Sequence, residues 1–101
     1  MHLIQILLPF CNSAGRAFPS RNFERLANEL TEKFGGVTSF TRTPAEGRWK
    51  KGASTDHDDV AVIEVMTQTV DRGWWAGLRN RLEQEFSQDE VIIRRQQTER
   101  L

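Results

Sequence analysis

Hydrophobic positions along the chain switch between two spacings, and each spacing predicts an element. From residue 2 to residue 8 both alternating sets are apolar, with Ile4, Ile6 and Leu8 on one side and Leu3 and Leu7 on the other. That is the pattern of a central strand buried on two faces. Pro9 ends the strand, and Asn12, Ser13, Gly15 and Pro19 make Phe10 to Pro19 a loop. Phe23, Leu26, Ala27, Leu30 and Phe34 then recur three and four residues apart, which predicts a helix with Ser20 placed to cap it through its hydroxyl. Gly35-Gly36 stops that helix, because glycine takes the left-handed turn without a Cβ clash.

The second half repeats the alternation. Val37 to Thr41 is β-branched and aromatic and predicts a short strand. Thr43 to Asp58 reads as a long polar connection, and Asp59 to Thr67 as a third strand. The third strand carries Val60, Val62 and Met66 on one face and Ala61, Ile63 and Val65 on the other. Asp71, or Thr69 before it, caps a second helix with a buried stripe of Trp75, Leu78, Leu82 and Phe86, widened by Trp74. Ser87-Gln88-Asp89 ends that helix, Glu90 to Arg95 forms the last strand, and the polar residues 96–101 are expected to fray. The order β-α-β-β-α-β predicts an α+β, ferredoxin-like fold, a four-stranded antiparallel sheet with two helices on one face. Right-handed crossovers put the first and third strands in the middle, where a two-sided apolar pattern belongs.

With 101 residues the chain fits one domain, residues 1–101, and 38% hydrophobic with 28% charged residues is an ordinary globular composition. Lys plus Arg and Asp plus Glu both number 14, so net charge attracts neither nucleic acid nor anionic lipid. The halves differ. Residues 1–55 hold eight bases and four acids, and residues 56–101 hold six bases and ten acids, giving +4 and −4. Cys11 is the one cysteine, which leaves no disulfide or cysteine metal cluster and points to the reducing cytoplasm. The Leu3 to Leu8 run ahead of Cys11 lacks the cationic start and the small residues of a lipoprotein signal, and no stretch approaches a membrane span.

With both helices on one face, the other face of the sheet should be polar. Here Leu3, Leu7 and the matching residues of the third and fourth strands make it apolar, so self-association through the open face is expected, unless the 43–58 segment folds across it. Three connections, Phe10 to Pro19, Thr43 to Asp58 and Ser87 to Asp89, meet at one sheet edge, the expected place for a site. There Arg48, Trp49 and Lys50, with Lys51 beside them, offer cations and an indole to a small anionic or planar ligand, and Arg16 can add a further cation. His57, in Asp56-His57-Asp58-Asp59, is a candidate acid or base, set against the plainer reading of a solvated acidic turn. No metal site is expected, because adjacent acids cannot all turn to one ion and no second matching histidine exists. Glu64 interrupts an apolar strand and needs a partner: a cross-strand arginine, threonine or indole, the subunit interface, or a catalytic role. Cys11 is expected to be a small buried thiol, and Trp74-Trp75 to be core or interface filler.

The strings Glu29-Leu30-Thr31-Glu32-Lys33-Phe34-Gly35-Gly36-Val37-Thr38, Pro44-Ala45-Glu46-Gly47-Arg48-Trp49, Glu64-Val65-Met66, Asp71 with Trp74-Trp75, and Phe86-Ser87-Gln88-Asp89-Glu90-Val91 resemble a family of small uncharacterised bacterial proteins across nearly the whole chain. More loosely, the Gly-Val-Thr, Gly-x-Trp and Phe-x-Gln signposts are similar to those of short predicted bacterial lipoproteins, from which this chain departs by lacking the lipid-attachment signal. The resemblance implies the fold and no catalytic residue or cofactor. The leading expectation is a dimeric cytoplasmic bacterial domain binding a small ligand or a protein partner near Trp49 and His57; the alternative is a small enzyme of the dimeric α/β-barrel type using His57 or Glu64, and the third reading is a purely structural subunit.

Overall fold

The computed structural model describes the backbone of residues 1–51 and 54–101 and the side chains of residues 1–40 and 59–101. Its elements are β1 (His2–Pro9), α1 (Ser20–Phe34), β2 (Thr38–Lys51), β3 (Ser54–Thr67), α2 (Arg72–Glu85) and β4 (Ile92–Gln97). The strands form a sheet in the order β2-β3-β1-β4, antiparallel at every pair, with β1 and β3 in the middle. This is the ferredoxin-like arrangement that the hydrophobic pattern predicts.

One side of the central strands is sealed. Ile4, Ile6, Leu8, Ala61, Ile63 and Val65 are at most 2% exposed. They pack with Phe23, Leu26 and Leu30 of α1 and with Trp75, Leu78 and Leu82 of α2. Full burial of one such aliphatic side chain is worth about 1.5–3 kcal/mol, so this interleaved layer is the main source of stability. Aromatic clusters clamp both ends. Phe86 lies 5.0 Å from Phe18 and 5.2 Å from Phe23, and Phe10 joins Phe23 at 5.5 Å. At the other end Phe34 stacks on Trp75 at 5.3 Å while Trp74 meets both edge-on.

The helix ends follow local chemistry. Asp71 caps α2 by accepting the Trp74 amide at 3.1 Å. Gly35 ends α1 at φ 85°, its amide donating to the Thr31 carbonyl. Ser20, expected as a cap, is instead the first helical residue; the cap position belongs to Pro19, and no side chain caps α1. Proline supplies a φ already compatible with helix entry, which lets the helix begin one residue earlier than a Ser20 cap implies.

The largest departure is the expected loop at 43–58. β2 and β3 run on through most of it as a two-stranded ribbon pairing Ala45 with Val60 out to Lys51 with Ser54, beyond the Pro9–Val60 end of β1. The register shifts between Phe40 and Ala45, where Pro44 has no amide to give the ladder. β4 also reaches further than expected, since Gln96 and Gln97 pair with Leu3 and His2. At the end of β3, Thr67 is 7% exposed and its hydroxyl has no hydrogen-bond partner among the described residues.

Candidate functional site

The register fixes the residues that share the face left bare by the helices. Phe40, Val62, Leu7 and Ile92 lie side by side across all four strands. Next to them runs a polar row of Thr38, Glu64, Gln5 and Arg94, and then Met66, Leu3 and Gln96. Phe40, Met66 and Ile92 are 46–50% exposed, a high value for large apolar side chains, so the expectation of an apolar open face holds.

The polar row is linked. Gln5 Nε2 donates to Glu64 Oε2 at 2.6 Å, and Arg94 Nε donates to Gln5 Oε1 at 2.7 Å. A carboxamide thus relays between a carboxylate and a guanidinium on three adjacent strands. Among the described residues each end keeps unused capacity, since one carboxylate oxygen and most of the guanidinium fork are not consumed by these bonds. The row can therefore take a ligand donor at Glu64 and an acceptor at Arg94, with flat apolar surface on both sides.

The candidate residues fall into separate places. Glu64 is mid-sheet, opposite Gln5 and Thr38, about 13 Å along β3 from Val60 at the loop edge. Arg16 is exposed in the β1–α1 loop, where Asn12 Oδ1 accepts the amides of Ala14 and Arg16 at 2.9 Å. Backbone register sets Arg48 opposite His57, Trp49 opposite Asp56 and Lys50 opposite Thr55 in the ribbon; the side chains of Arg48, Trp49, Lys50 and His57 lie outside the described residues. Glu64 and Arg16 are not brought together. Cys11 is exposed rather than buried, because it pairs only by a bridge with Ala17 at the mouth of the loop. Trp75 is core, as expected, and Trp74 lies partly exposed beneath Lys33 Nζ, 4.7 Å from its ring.

Gln5 and Arg94 were not singled out by sequence reasoning as site residues. The available signal was Gln5 itself, which breaks the apolar run of β1 as Glu64 breaks that of β3; only the register makes them neighbours. Among the described residues, no group of three or more His, Cys, Asp or Glu side chains is placed to hold a metal ion, and no helix is long and apolar enough to cross a membrane.

No family model matches the chain, and no curated protein matches it in sequence. Its fold is similar to that of a phage SAM lyase. In complex with S-methyl-5'-thioadenosine, that protein aligns at TM-score 0.65 and 11% identity over 95% of this chain and 80% of its own. Its apo state aligns at TM-score 0.63 and 11% identity, over 94% and 78%. At that identity the likeness is one of fold.

Proposed function

We propose that this protein is a small-ligand-binding domain that pairs with a second copy of itself through the open sheet face, enclosing the Glu64–Gln5–Arg94 row. The carrying observation is that linked row, set among Leu7, Val62, Phe40 and Ile92 on a face that no helix covers. Apolar neighbours drive association, and a charged relay inside the resulting cavity orients a ligand. The small bacterial family resembled by the motif layout belongs to the same proposal.

A second reading, an enzyme with Glu64 as acid or base, is favoured by the fold likeness to a lyase solved with a thioether nucleoside. One experiment separates the two. Sedimentation of wild type and Leu7→Asp is combined with calorimetric titration of S-adenosylmethionine and S-methyl-5'-thioadenosine into wild type and Glu64→Gln. The binding reading expects a dimer that Leu7→Asp dissociates, and ligand binding that Glu64→Gln weakens. Turnover of S-adenosylmethionine abolished by Glu64→Gln selects the enzyme. A wild-type monomer indifferent to Leu7→Asp refutes pairing through this face.

A further inference from the structure

A second concavity lies on the helix side of the sheet, between α2 and the edge strand β4. The α2 residues lining it, Arg72, Trp75, Ala76 and Arg79, are spaced three and four apart and so form one stripe. β4 contributes Ile93, Arg94 and Arg95, and Ile4 and Val70 complete the lining. Together they bound a hollow of about 260 Å³, in which Ala76 is the shortest side chain of the α2 wall.

Its charge is anomalous for its location. Residues 56–101 carry ten acids and six bases, yet four of the six bases line this hollow, all of them arginines. The ion pairs among the described residues, Arg25 with Glu85 and Arg81 with Glu29, involve none of them. Arg94 gives one donor to Gln5 and Arg95 faces His2 Nδ1 at 3.1 Å, which leaves most of each fork unspent. Arg72 occupies the first turn of α2, which has no acidic residue, and a cation there opposes the helix dipole. The His2 imidazole registers the field, held below its ordinary 6.5 by withdrawal from water and by the amino terminus, Arg95 and Arg72.

We infer that the α2–β4 groove binds a small phosphate-bearing ligand of the nucleoside phosphate class. The phosphates meet Arg72, Arg79 and Arg95, and the apolar part lies over Ile4, Val70 and Ile93. Guanidinium forks match phosphate oxygens in pairs. The hollow suits one small molecule, near the lower end of ligand pockets. A nucleic acid needs a longer track, whereas Arg72 to Arg79 spans about 10 Å along the helix. Arg94 borders both places, its Nε being tied to Gln5 in the Glu64 row on the open face, so the phosphate contacts fall to Arg72, Arg79 and Arg95.

The test is titration of ADP, inorganic phosphate and a glutamate-rich peptide into wild type, Arg79→Gln, Arg95→Gln and Ala76→Leu, with Arg21→Gln and Glu24→Gln as controls. Thermal unfolding verifies that each variant folds, and NMR follows His2. ADP should bind saturably and more tightly than phosphate, and weaken with added salt. Each groove arginine variant should lose about tenfold or more in affinity. Ala76→Leu should fold but fail to bind, the controls should bind as wild type, and saturation should raise the His2 titration midpoint. Absence of saturable ADP binding, wild-type affinity in both arginine variants, or binding of the peptide in place of ADP would each overturn the inference.

Discussion

Replacing Gln5 by leucine strands a carboxylate. Glu64 loses the 2.6 Å bond from Gln5 Nε2, and Arg94 loses its acceptor at 2.7 Å. A hydrogen bond to a charged group contributes about 1.5–3 kcal/mol. Glu64 is only partly buried and Arg94 is exposed, so water restores part of each loss, and the expected net cost is about 1–2 kcal/mol. The decisive comparison is a double-mutant cycle. Glu64→Leu in the Gln5→Leu background removes the stranded charge, so the double variant should be more stable than the summed singles by at least about 1 kcal/mol. Urea unfolding at one fixed protein concentration reads this out, since self-association would otherwise make stability depend on concentration. Additivity within about 0.3 kcal/mol would show that the row is not an energetic unit and would remove the basis for treating it as the site.

Other perturbations test the frame around it. Thr67→Val keeps shape and removes a buried hydroxyl that has no partner among the described residues, so thermal unfolding should rise by several degrees, about 1 kcal/mol; a decrease would mean the hydroxyl has a partner. Phe86→Ala empties the centre of the Phe18–Phe23 cluster and should cost about 3–5 kcal/mol in denaturant unfolding. Asp71→Ala removes the acceptor of the Trp74 amide and should cost about 1 kcal/mol, while Asp71→Asn retains most of it. His2 should titrate below 6.5 by NMR, because the native state disfavours its charged form. The unfolded chain then binds the proton first, so the contribution of His2 to stability is complete above about 6.5 and is lost as pH falls through the native value. A His2→Gln variant should lack that slope.

Periodicity made the fold legible because the buried face is written in uninterrupted spacing: Ile4, Ile6 and Leu8 on β1, and Trp75, Leu78 and Leu82 on α2, carry it without tertiary information. The ribbon was hidden by its composition. Pro44, Gly47 and a polar run carry loop chemistry, and pairing between two local partners overrides it. Glu64 was visible as a charge needing a partner, but Gln5 is 59 residues away and Arg94 is 89 residues from Gln5, and only strand register joins them. The arginine groove was invisible for a different reason. Arg72 and Arg79 read as the solvated side of an amphipathic helix, and nothing local places Arg95 across from them.

The pairing of β1 with β4 also shapes how the chain is assembled. β1 is made first, and its second edge is occupied only by Ile92 to Gln97, with the Thr98 amide closing on the Met1 carbonyl at 3.0 Å. Throughout synthesis of the intervening residues the nascent chain therefore carries an unpaired, strongly apolar strand edge, a template for intermolecular pairing. Closing a loop of nearly the full chain is slow relative to local helix formation, so the vulnerable interval ends with the last strand. The same proximity of first and last residues makes a circular permutant with joined ends a chain in which that exposed interval is shortened.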